Sequence, residues 1–203
     1  FTASPNLLTC PTVIAVEPMP LAERVEALRA AGEACPGLLE ALDSVDPQGD
    51  PGHVLAFSRE CAGAAEAFPA IRREGKAPVL GHLEPEELGE FEPIASVEIP
   101  PKPIYSLVDV DLGGESRNVT PEEALKDILT RGRSPLTIEE GIALMLQQPG
   151  AIEKNWGFSL AGSRRGDQRV PAFWVSEGRP KLGWCWDRNP HTWLGTASCA
   201  ARV

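Results

Sequence analysis

Apolar residues recur at helical spacing in LAERVEALRA, Leu21 to Ala30, where Leu21, Val25 and Leu28 share a face with charges between them, and this pattern predicts a helix. A second short helix is expected in GLLEAL, Gly37 to Leu42. The next stretch, SVDPQGDPG (Ser44 to Gly52), is dense in Asp, Pro and Gly, which set turns and break both helical and sheet ladders. It marks an expected boundary between an N-terminal arm with a small helical segment, residues 1–50, and a main domain, residues 51–203.

HVLAFS (His53 to Ser58) reads as a strand, and PVLGHLEPEELGEFEP (Pro78 to Pro93) as a strand, a turn and a brief acidic helix opened by Pro85. IYSLVDVD (Ile104 to Asp111) is rich in β-branched and aromatic residues, closes on LGGES, and predicts a further strand. In NVTPEEALKDILTRG, Thr120 is placed to cap a helix, Pro121 to occupy its first position and Gly132 to end it. SPLTIEEGIALMLQQPG repeats the recipe, with Thr137 and Glu140 spaced as a capping box and Pro149 as the stop. From Asn155 the pattern changes to short aromatic runs, FSLAGS, PAFWVS and LGWCW, separated by Gly, Arg and Pro, which read as an antiparallel meander. The expected fold is therefore α+β, with N-terminal and central helices packed on a mainly antiparallel, Trp-rich C-terminal sheet.

Composition narrows the class. With 42% hydrophobic residues, 203 residues suffice for a substantial core, and no apolar run is long enough to predict a membrane span. The opening FTASPNLLTC has neither a basic region nor a long apolar core, so no secretory leader is expected there and a cytoplasmic location is. Five widely spread cysteines without a C-x-x-C pair fit reduced thiols, with a Cys185–Cys199 bridge as the alternative. The net charge of −10 argues against nucleic acid as a partner. That charge is uneven: residues 1–153 carry 11 basic against 26 acidic residues, and residues 154–203 carry 8 against 3. The basic tail is suited to one small anion, or to complementing the acidic half.

All five tryptophans, Trp156, Trp174, Trp184, Trp186 and Trp193, fall near the C-terminus, a concentration that suits a packed core or a ligand pocket. A regular strand through GWCW sends Trp184 and Trp186 to one face and Cys185 to the other. Cys185 with His191 has the composition of a nucleophile and its base, and adding Cys199 gives a thin three-ligand metal set with Asp187 the nearest oxygen. In AGSRRGDQR, Arg164, Arg165 and Arg169 surround Gly166 and Asp167; the guanidinium fork suits a carboxylate or phosphate, but the spacing matches no established phosphate loop, and a hairpin loop with Asp167 pairing an arginine is the favoured reading. Asp109 and Asp111 share one face of the expected strand at the spacing of a second-rank cation site.

The segments GRSPLTIEEGIAL, FSLAGSRRGDQRVPAFWVSEGRPKLGWCW and NPHTWLGTASCAARV resemble an uncharacterised actinobacterial family, domain of unknown function 5701. The resemblance runs from about Leu21 to the end and implies a cytoplasmic bacterial protein, but no established activity. It also implies a cysteine after the Ser-Arg pair in relatives, where this chain has Arg165, so shared chemistry would rest on Arg164, Asp167, Arg169, Cys185, Asn189 or His191. The leading expectation is a binding or accessory protein for a small anionic or aromatic ligand or a peptide, with a pocket near NPHTWLG in which Trp184, Trp186 and Trp193 supply contact area and Arg164 or Arg169 fixes polarity. The alternatives are an enzyme using Cys185 and His191, and a scaffold that binds a partner. No cofactor and no oligomeric state is indicated by any motif.

Overall fold

A computed structural model describes residues 15–46 and 54–203. The N-terminal arm, Cys10, His53 and most of the turn-rich stretch at the expected boundary near residue 50 lie outside the described residues. Helices α1 (Leu21–Arg29) and α2 (Pro36–Asp43) come first, followed by β1 (Val54–Phe57), α3 (Ala64–Ala67) and β2 (Val79–Leu80). A 3-10 turn over Pro85–Glu90 leads into β3 (Glu92–Pro93) and β4 (Ile104–Val108). Next are α4 (Pro121–Thr130), β5 (Ser134–Pro135) and α5 (Ile138–Gln147). The C-terminal part contains β6 (Gly157–Ser159), β7 (Ser163–Arg164), β8 (Arg169–Ser176), β9 (Arg179–Trp186), β10 (Leu194–Thr196), β11 (Ser198–Cys199) and β12 (Ala201–Arg202). The fold is α+β with mostly antiparallel pairing, and no helix among the described residues is long and apolar enough to cross a membrane.

Helix α5 is the centre of the packing, every residue from Ile138 to Met145 being buried. Its start is fixed from the sequence: Thr137 accepts from the Glu140 N–H at 3.3 Å, and the Glu140 carboxylate accepts from the Thr137 N–H at 2.8 Å. Near its end, the buried Gln147 side chain bonds both the N–H and the C=O of Leu55, at 3.0 and 2.7 Å. The N–H and C=O of Leu55 on the edge strand β1 are thereby satisfied without another strand. Leu21 and Leu28 of α1 and Leu38 and Leu42 of α2 belong to the same apolar cluster as β1 and α5.

The largest sheet has the order β10-β6-β8-β9-β2. Its middle is the hairpin β8–β9, paired from Arg169 opposite Trp186 to Ser176 opposite Arg179. The two-residue connection, Glu177 and Gly178, has φ of 54° and 75°, the double left-handed backbone that matches the twist of a tight hairpin. Both outer strands depart from a simple meander, since β10 runs parallel to β6 and β2 runs parallel to β9. Strand β2 arrives from about a hundred residues upstream, a pairing that no local pattern encodes. One face of this sheet buries Phe158, Phe173 and Leu182 in the main core. The other face carries a smaller cluster of Val170, Ala172, Cys185 and Leu194, against which Trp174 and Trp193 pack.

Candidate functional site

The second sheet face opens into a cavity of about 330 Å³. Trp174 of β8 forms one wall, lying across two glycines on neighbouring chain segments: a Cβ on Gly183 would come within 2.5 Å of its ring, and one on Gly81 within 3.4 Å. Trp193 meets Trp174 edge-on with ring centroids 5.9 Å apart, and His191 lies 5.3 Å from Trp193. Trp184, Cys185, Asn155 and His82 complete most of the lining. The NPHTWLG turn is held in place from outside, by Arg117 Nε donating to Thr192 O at 2.8 Å and Asn118 N donating to His191 O at 2.9 Å.

Strand alternation places Trp184 and Trp186 together as expected, their rings in an edge contact at 4.7 Å. Trp184 nevertheless lines the same cavity as Cys185. Strand β2 pairs only with Lys181 and Leu182, and beyond them the Trp184 indole N–H donates to His82 O at 3.1 Å, so groups from both faces meet around the open edge of β9. Trp186 lies outside the cavity and is 41% exposed.

Cys185 and His191 are brought to one cavity, but its apolar character works against a thiolate. Burial raises the Cys185 thiol to about 12, outweighing the opposing charge of Arg164. Burial also lowers the His191 imidazole below its ordinary value, favouring the neutral ring. Cys199 belongs to the main core instead, where burial lifts it to about 11. Cys35, Cys61, Cys185 and Cys199 are all free thiols, and among the described residues no group of three His, Cys, Asp or Glu side chains is placed to hold a metal ion.

The arginine-rich loop lies outside this cavity and is engaged with carboxylates. Arg165 spans Glu87 and Glu90 at 2.5 and 2.6 Å, contacts supplied by the 3-10 turn that Glu84 and Glu87 cap. Arg169 stacks over Trp184 at 4.8 Å with Asp167 at 3.5 Å, and Asp167 also accepts from the Arg169 N–H at 2.8 Å. Arg164 is half-buried and donates to the carbonyls of Ala161 and Ser163. Burial pulls its guanidinium below the ordinary value, with Asp187 opposing. Asn189 is exposed in the turn before His191 and does not line the cavity. Asp109 and Asp111 do not share a strand face, because β4 stops at Val108 and Asp109 turns left-handed at φ 50°. Arg133 binds the Asp109 carboxylate at 2.6 Å, and Asp111 closes a turn by accepting from Gly113 N–H at 2.8 Å.

Sequence reasoning missed Trp174, Asn155 and His82 as cavity residues. Gly183, inside the strand segment RPKLGW, was the available signal for Trp174, since a glycine within a strand marks a close approach. It also missed Glu139, a carboxyl only 3% exposed beside a second cavity of about 300 Å³.

Fold and site together define an α+β protein with an aromatic-walled cavity at the edge of its main sheet. The chain belongs to DUF5701, a family of unknown function, whose profile matches residues 8–203. No curated protein and no solved structure matches it.

Proposed function

We propose that the protein is a binding or accessory module whose cavity beside the NPHTWLG turn takes a small flat ligand, or one aromatic side chain of a peptide. The observation that carries this reading is the convergence of Trp174, Trp184, Trp193 and His191 on one 330 Å³ space. Indole faces supply contact area at little entropic cost, and His82, Asn155 and a neutral His191 offer hydrogen bonds that would orient a heteroaromatic ring. Among the described residues no Asp, Glu, Lys or Arg side chain lines the cavity, and Arg165 and Arg169 already face carboxylates, so an aromatic ligand is favoured over an anion. Nucleic acid is not proposed, given the net charge of −10. A cytoplasmic setting is proposed on the free thiols.

The catalytic alternative has one observation in its favour, that Cys185 and His191 line the same cavity, and burial of both groups opposes it. Ligand-observed NMR with indole, quinoline and adenine tests the main reading. Saturation transfer to at least one of these, lost in Trp193→Ala, is expected; transfer to none of them, or transfer unchanged by Trp193→Ala, overturns it.

A further inference from the structure

The second cavity has no tryptophan in its lining and lies where the end of β1, the start of α5, Tyr105 of β4 and the loop Ile99 to Pro101 meet. Its lining combines an apolar wall, including Phe57, Ile99 and Pro100, with two carboxyls, Glu139 and Glu60, and the guanidinium of Arg59. Glu139 is buried against the cavity, whereas Glu60 is exposed at its rim. The single guanidinium does not neutralise both carboxyls. Arg59 directs Nη2 to Gly89 O at 2.8 Å, and its Nε forms a long ion pair with the Glu139 carboxylate at 3.8 Å, beyond hydrogen-bond range. The neighbouring Glu140 is not open to a ligand, because its carboxylate is already held by Arg202 and the Tyr105 hydroxyl.

We propose that this cavity is a binding site for a small organic cation bearing a primary ammonium group, held by the Glu139 carboxylate with its apolar part against Phe57, Ile99 and Pro100. An ammonium is compact, has three donors, and supplies the positive charge that Arg59 brings only to within 3.8 Å. An anion would meet two carboxyls and one arginine already engaged with Gly89. This site shares no lining residue with the tryptophan cavity, so it stands or falls independently of that reading.

The site has its own pH signature. Burial, aided by Glu140 and opposed by Arg59 and by hydrogen bonds from Thr137 and the Glu139 backbone, keeps the Glu139 carboxyl up at about 6. The phenol of Tyr105 and the exposed Glu60 are the other titratable groups of the lining. A bound ammonium favours the ionised carboxylate, so binding releases a proton near that pH, and affinity falls about tenfold from about pH 7.5 to about pH 5.

Calorimetry and ligand-observed NMR on the full chain, with n-butylammonium, 1-butanol and butyrate as probes, test the proposal. Expected are binding of n-butylammonium alone, proton release on binding, and at least a tenfold loss of affinity in the near-isosteric Glu139→Gln. A downward shift of the Glu139 carboxyl titration on adding n-butylammonium to the wild-type protein gives a readout that does not depend on the variant folding. Equal binding of 1-butanol, preference for butyrate, an unmoved Glu139 titration or undiminished binding by a folded Glu139→Gln protein would each overturn it.

Discussion

Arg202, next to last in the chain, grips the fully buried Glu140 at the start of α5 with two nitrogens, at 2.6 and 2.8 Å. The same arginine reaches Ser134 and the Pro135 carbonyl, and Glu140 also accepts from the Tyr105 hydroxyl at 3.0 Å. One carboxylate therefore caps a helix, anchors a strand residue and fastens the C-terminal strand. Burial, followed by the Glu140 charge, raises the Tyr105 phenol far above its ordinary value, so it stays protonated as a donor.

Removing the arginine should leave that carboxylate buried without its cation. Arg202→Met is expected to cost about 3–5 kcal/mol, read from urea unfolding, because an unpaired buried charge has lost both water and partner. The double variant Arg202→Met with Glu140→Leu should recover part of the loss; an Arg202→Met protein as stable as wild type would show that the pair contributes nothing.

Cys185 should resist a thiol probe in the folded protein and react readily after unfolding, since burial holds its thiol at about 12. The half-exposed Cys61 should label before it. His191→Ala should leave the Cys185 rate unchanged, as followed by peptide mass spectrometry; fast native labelling that slows in this variant would instead support the catalytic alternative.

Glu139 predicts a pH dependence of stability with a definite sign. Its folded value of about 6 lies above the ordinary 4.5, so the native state binds its proton more tightly than the unfolded chain does. The stabilisation is complete below about pH 4.5 and is lost as pH rises through 6, about 2 kcal/mol in all. The difference in unfolding free energy between wild type and Glu139→Gln, measured across that window, should therefore move by about 2 kcal/mol in favour of the variant. A flat difference would mean that Glu139 titrates normally.

Gly183→Ala should disturb the tryptophan cavity from beneath. The added methyl would sit 2.5 Å from the Trp174 ring and 2.8 Å from Gly81 O, so the indole must shift. A stability loss of about 1–3 kcal/mol is expected, together with a changed Trp174 signal and weakened uptake of aromatic probes. Unaltered binding would place the ligand contact elsewhere.

The parts of the fold that were legible are those whose determinants lie within a few residues. Thr120 does cap α4, accepting from Glu123 N at 3.2 Å, and Thr137 with Glu140 does form the capping box of α5, because caps are contacts three residues apart. The β8–β9 hairpin followed likewise from short aromatic runs around a tight turn. His191 and Trp193 of the NPHTWLG turn line a cavity, whereas Trp174, His82 and Asn155 join it only when β2 closes on β9 and the connection before β6 folds over.

Sequence by itself determined the α+β class, the caps and the alternation that puts Trp184 and Trp186 side by side, since each depends on local periodicity and backbone chemistry. Tertiary structure alone decided which charges are matched. Arg165 read as one of three loop arginines, with Asp167 the expected partner within the loop, until Glu87, 78 residues away, was folded against it, and Glu139 read as one more acidic residue of a helix until β1 and the loop at Ile99 enclosed it. Burial and pairing are relations between distant segments, and a linear pattern carries the groups but not the distances between them.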